Sequence, residues 1–153
     1  MKRMMLLPVL FVLGTCPALF GTTFPQLALG GSPERYECVI LVANKTDQVW
    51  SGGMFARKGN HDAWLIRWVA GGNSYDAHGV TFNLPPGGTI KVVSRSVSGE
   101  LGVGHLVLTA DSGSSDSDVT VSFFYNLLDE AGELLDSVSV PKSSHASDTV
   151  RLD

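Results

Sequence analysis

The sequence predicts an all-β fold, an antiparallel β-sandwich of about seven or eight strands. Three observations carry that expectation. Val119, Val121, Phe123 and Tyr125 alternate with Thr120, Ser122 and Phe124, and Val80, Phe82 and Leu84 alternate with Thr81 and Asn83, which is the period of two of a half-buried strand. Clusters of Gly, Pro, Asn and Asp punctuate the short apolar runs. No stretch carries a convincing amphipathic helical period.

Taken in order, residues 1–21 read as a secretory signal peptide. Lys2 and Arg3 form a basic start, Met4 to Leu13 is almost unbroken apolar chain, and Gly14, Thr15, Cys16, Pro17 and Ala18 supply a cleavage region. The apolar run is too short to cross a hydrocarbon layer of ~30 Å. Residues 22–35 hold Pro25, Gly30, Gly31 and Pro33 without a period, and read as a linker to a domain spanning 36–153. Tyr36 to Ala43 is β-branched and apolar on both faces, as a central strand is. Val49 to Arg57 follows the turn Asn44-Lys45-Thr46-Asp47, and its Gly52-Gly53 pair points to a bulge. Ala63 to Val69 is the next extended run. Pro85-Pro86-Gly87-Gly88 then turns Val80–Leu84 into Thr89–Ser94, and Leu101 to Ala110 is a further strand. Asp129-Glu130-Ala131-Gly132 joins Val119–Tyr125 to a returning strand through Val138 and Val140, with Gly132 at a positive-φ position. Leu127 to Leu135 is a helical competitor weakened by Gly132. Pro141 stops the returning strand, and Thr149 to Leu152 closes the chain.

Without the leader about 130 residues remain, enough for one domain with its own core. Nine basic residues then face 15 acidic ones, a net charge of −6, since Lys2 and Arg3 lie in the leader. That balance disfavours nucleic acid and anionic lipid as partners. The leader places the protein outside the cytoplasm, secreted or periplasmic. Leu13-Gly14-Thr15-Cys16 also resembles a bacterial lipoprotein box, in which Cys16 would be lipidated and the domain tethered to a membrane as an outer-surface lipoprotein. Cys38, alone after the leader, has no internal disulfide partner and reads as a buried small hydrophobe.

On the strand of Val119 to Tyr125, the Asp129-to-Gly132 hairpin, the returning strand and the Pro141 turn, the chain resembles bacterial secreted domains of the immunoglobulin and fibronectin type III kind. The likeness covers about two thirds of the chain after the leader and rests on pattern. The paired Cys of the antibody core is missing. The resemblance implies an immunoglobulin-like sandwich and an extracytoplasmic location, and it implies no activity.

The chemistry on offer is sparse. Gly59-Asn60-His61-Asp62 resembles one element of the metallophosphoesterases, but the upstream Asp-x-His and the Gly-Asp pair of that family do not occur. A small metal-dependent hydrolase built on His61 and Asp62 is therefore the least supported reading, and a polar hairpin turn the most economical. His61, His78, His105 and His145 show no metal-ligand spacing. Asp111, Asp116 and Asp118 put three carboxylates into one Ser-rich loop, a candidate calcium site whose spacing is not that of an EF-hand; otherwise no cofactor is implied. Asn44-Lys45-Thr46 is a glycosylation sequon. Trp64, Trp68 and Tyr75 make a carbohydrate-binding platform if they point outward, and core if the indoles point inward, the commoner arrangement. No catalytic set emerges. The sequence thus points to a non-enzymatic module that contacts another extracytoplasmic protein or a surface polysaccharide.

Overall fold

A computed structural model describes residues 21–140. Residues 1–20 of the expected leader, with Cys16 and the lipidation expected there, His145 and the expected closing run Thr149–Leu152 lie outside the described residues. Ten strands follow in order: β1 (Thr22–Leu29), β2 (Arg35–Asn44), β3 (Trp50–Lys58), β4 (Ile66–Ala70), β5 (Asn73–Ala77), β6 (Gly79–Leu84), β7 (Thr89–Arg95), β8 (Gly102–Ala110), β9 (Val119–Leu128) and β10 (Leu134–Val140). They form two open antiparallel sheets. One runs β1-β8-β3-β6 and the other β10-β9-β2-β7-β4-β5. Three pairings are nested, β2 with β9, β3 with β8 and β4 with β7, so the chain resembles one long hairpin folded over itself.

Side chains from the facing sides of both sheets fill the space between them. Phe24, Leu27, Leu29, Trp50, Met54, Leu106 and Leu108 come from the four-stranded sheet, and Cys38, Ile40, Val42, Ile66, Trp68, Val92 and Phe123 from the six-stranded one. Phe24 stacks on Phe123 across the gap, with ring centroids 5.8 Å apart. This is the layering of a sandwich, each inner face apolar at alternate positions. Among the described residues no helix is long and apolar enough to cross a membrane.

The segment expected to be a linker is instead part of the domain. Thr22–Leu29 pairs with β8, and Phe24, Leu27 and Leu29 are fully buried. The sandwich therefore begins before residue 36. The inward positions fall at 24, 27 and 29 because the register slips between Phe24 and Leu27. That bulge changes the phase of the alternation and hides the strand from a period-two search. The bulge expected at Gly52-Gly53 is absent, since β3 pairs with β6 and β8 through both glycines without a shift. Gly52 answers a close approach: a Cβ there would lie 2.4 Å from the Thr109 carbonyl oxygen and from the Trp50 ring. Leu127–Leu135 is strand, turn and strand. Gly132 takes φ +88° and its N–H donates to the Asp129 carbonyl.

Cys38 is buried at the interface of the sheets, and its Sγ donates weakly to the Ala28 carbonyl at 3.6 Å. Burial pushes the thiol far above its ordinary range, so no thiolate is present for attack. Iodoacetamide at mildly alkaline pH is expected to leave Cys38 unlabelled in the folded protein and to label it fully in concentrated guanidinium. Peptide mapping by mass spectrometry reads the difference, and native-state labelling at a rate near that of the unfolded chain contradicts it.

Candidate functional site

The outer face of the six-stranded sheet carries a polar row that crosses all six strands. On β10, the Ser137 hydroxyl donates to Asn126 Oδ1 on β9 at 2.9 Å. Asn126 Nδ2 donates to Glu37 Oε1 on β2 at 3.1 Å, and Arg95 Nε on β7 donates to Glu37 Oε2 at 2.8 Å. Arg67 on β4 is paired in register with Arg95, and its Nε and Nη2 donate to the two oxygens of Asp76 on β5 at 2.8 and 3.0 Å. The fork held against it keeps the Asp76 carboxyl below the usual carboxylate range. This row follows from register alone. Residues two apart on one strand share a face, and each rung meets its neighbour across a strand spacing of about 4.8 Å.

The middle of that row opens into a cleft of about 510 Å³. Arg35, Glu37, Arg67 and Arg95 line it from the sheet, with Tyr36 and Leu128 beside them. The β1–β2 connection adds Gly30 and Gly31, the β7–β8 connection Ser96 and Gly99, and the β9–β10 turn Gly132. The connections are fastened to one another. Gly31 N donates to the Gly99 carbonyl at 3.0 Å, and Gly30 and Tyr36 exchange two backbone bonds of 2.9 Å. Ser96 Oγ accepts from Gly99 N at 3.1 Å and donates to the Glu100 carbonyl at 3.2 Å. Such a pocket is concave and largely preformed, the usual character of a small-ligand site.

The residues singled out from sequence are placed elsewhere. Trp68 is fully buried, and its Nε1 donates to the Ala77 carbonyl at 3.1 Å. Trp64 points inward too and packs across the sandwich on β8, where a Cβ at Gly102 would lie 2.5 Å from its ring. Of the proposed sugar platform only Tyr75 is exposed. The inward reading of the two indoles is the one observed, because Trp64, Ile66 and Trp68 share the inner face.

The calcium loop does not assemble either. Asp116 Oδ2 accepts from Thr22 N at 2.7 Å and from Thr22 Oγ1 at 3.2 Å, while Oδ1 accepts from Ala110 N at 3.0 Å. Asp118 Oδ2 accepts from Ser115 N at 2.8 Å, capping a single 3-10 turn over Asp116–Asp118. The carboxylates of Asp116 and Asp118 thus bind backbone N–H groups. Among the described residues no group of three or more His, Cys, Asp or Glu is placed to hold a metal, and this includes Asp111, Asp116 and Asp118.

Gly59-Asn60-His61-Asp62 closes a turn. His61 N donates to the Lys58 carbonyl at 2.9 Å with φ +68°, and Asn60 Nδ2 donates to Asp62 Oδ2 at 2.7 Å. His61 does meet His105, edge to face with centroids 5.2 Å apart, a contact with no trace in the sequence spacing. Partial burial, then the neighbouring His61 and Arg57, hold the His105 imidazole below its ordinary pKa. His78 is exposed.

The sequon asparagine faces inward. Asn44 is 3% exposed, and its two N–H groups serve the carbonyls of Gln48 at 2.7 Å and of Leu84 and Pro85 at 3.1 Å. Its Oδ1 accepts from Thr46 N at 3.0 Å and Thr46 Oγ1 at 2.9 Å. Asn44 ties three chain segments together, and in the folded domain its nitrogen is not available to a glycan.

Comparison of the chain with protein-family models, with curated proteins and with solved structures gave no match.

Proposed function

We propose that this chain is a non-enzymatic, exported binding module of immunoglobulin-like type that engages another extracytoplasmic protein by adding a strand of that partner to β10. Export rests on the leader pattern, and the immunoglobulin-like assignment on the β9–β10 hairpin pattern together with two open antiparallel sheets. The observation that carries the reading is the contrast among the four edge strands of the described residues. The β1 edge contains a bulge and Pro25, which has no N–H to offer. The β5 edge is five residues long and holds Asp76, and β6 runs straight into Pro85-Pro86. The β10 edge has a register shift only at its start, between Leu134 and Asp136, and then pairs regularly with β9 through Val140. Among the described residues its other side has no strand, and Leu134, Leu135 and Val138 are 58%, 52% and 57% exposed. Past Asp136 the edge is regular, and a regular edge with exposed apolar side chains is a template for strand addition.

Photo-crosslinking in the producing cell tests this. A benzoylphenylalanine at Val138 is expected to trap a discrete partner, and the same probe at Lys45, on the far end of the sandwich, is not. Lysine gatekeepers at Leu134 and Ser139 in the Val138 probe chain should reduce the product about tenfold, as a charge on an edge disfavours pairing. Equal trapping from both probe positions, or a product indifferent to the gatekeepers, removes the reading.

A further inference from the structure

We propose that the cleft at the end of the six-stranded sheet is a binding site for the oxyanion group of a small ligand, held by the guanidinium groups of Arg35, Arg67 and Arg95. The inference is independent of strand addition to β10. It rests on which hydrogen-bonding capacity in the cleft is used and which is left over.

The two carboxylates nearest the arginines are both engaged from within, each oxygen accepting one hydrogen bond. Glu37 receives Asn126 on one oxygen and Arg95 on the other, and both oxygens of Asp76 receive Arg67. The donors are not saturated. A guanidinium has five N–H groups. Arg95 uses Nε alone, Arg67 uses Nε and Nη2, and Arg35 has no carboxylate partner among the described residues. Arg67 and Arg95 stand side by side on neighbouring strands, and the Arg35 guanidinium reaches over the β9–β10 turn, since a Cβ at Gly132 would lie 2.9 Å from its Nη2. Arg35 adds an unpaired positive charge beside two paired ones, so these groups carry a net positive charge that suits an anion. A carboxylate, sulfate or phosphate supplies the planar or tetrahedral oxygens that arginine forks match, often bidentately.

The placement is not a matter of overall charge. After the leader the chain carries five arginines and a net charge of −6, yet three of those five converge on this one cavity. The repulsion of distant acidic groups is screened beyond about 8–10 Å at moderate salt, so the contacts at the site decide. A volume of about 510 Å³ lies within the usual range for small-molecule sites and exceeds what a bare inorganic anion needs. The rest of the ligand would lie against Tyr36, Leu128 and the glycine walls.

The experiment uses the intact protein and three probes: sodium sulfate, sodium phosphate and sodium D-glucuronate, each at ionic strength matched with sodium chloride. Amide shifts of Ser96, Gly99 and Gly132 are followed by NMR, and affinity by calorimetry. The expected result is saturable one-to-one binding of at least one probe. Tighter binding of glucuronate identifies the carboxylate as the natural group, and tighter binding of sulfate or phosphate a tetrahedral one. Arg35→Gln should weaken binding about tenfold or more, the loss of a charged hydrogen bond. Its thermal midpoint should stay that of the parent, because Arg35 has no ion pair to lose among the described residues. Arg35→Lys keeps the charge without the fork and should fall between the two. Shifts that grow linearly and equally with sodium chloride overturn the proposal. So does saturable binding that Arg35→Gln leaves unchanged.

Discussion

Replacing Trp50 by alanine is expected to destabilise the domain by about 4 kcal/mol, which for a chain of this size lowers the thermal midpoint by roughly 15 °C. Trp50 is 1% exposed and lies against Phe82, with ring centroids 5.6 Å apart. Its Nε1 also donates to the Ser115 carbonyl at 2.9 Å, so the indole ties β3 to the connection between β8 and β9. The loss therefore combines a cavity with an unpaired carbonyl. Trp50→Phe separates the two. It retains most of the apolar volume while removing the donor, for an expected loss of about 2 kcal/mol. Urea denaturation of the three proteins checks both values. A loss below about 1 kcal/mol for Trp50→Ala would place the indole outside the core.

The second large effect is expected at Asn44. Asn44→Ala removes one side chain and leaves the buried Leu84 carbonyl and the part-buried Thr46 N–H without their partners. The expected loss is about 3 kcal/mol. Asn44→Asp should be worse than alanine, because a carboxylate would face the carbonyl oxygens of Gln48, Leu84 and Pro85 with no hydrogen to give them. Thr46→Val, which keeps the Thr46 backbone donor, should be mild by comparison. Equal stability of Asn44→Ala and the parent in urea would show that these bonds are replaced by water at no net loss.

The sequence made the half-buried strands legible where alternation ran uninterrupted, as at Val119 to Tyr125, and where Gly132 marked a turn. It concealed β1, because the slip between Phe24 and Leu27 breaks the phase of the pattern. It concealed β5 as well. Asn73-Ser74-Tyr75-Asp76-Ala77 has almost no apolar content, and its extended form comes from pairing with β4 and from the Arg67–Asp76 bridge. The arginine cleft left no local trace. Arg35, Arg67 and Arg95 are far apart in the chain, and only the register of β2, β7 and β4 makes them neighbours. The inward placement of Trp64 and Trp68 and the backbone contacts of Asp116 and Asp118 were hidden for a related reason. Residue type and spacing propose a function, but the direction of each side chain is set by the opposite sheet and by which backbone N–H groups need a partner.

The pairing of β1 with β8 also orders events during synthesis. Thr22 is matched with Leu108, so β1 is among the first parts of the domain to leave the ribosome and waits for nearly the whole domain before it can dock. Until then β1 has no hydrogen-bonded neighbour in its own sheet, and the core between the sheets stays open on that side. Completion of the four-stranded sheet is thus a late step, and a nascent chain that stops before β8 leaves its first strand without a ladder.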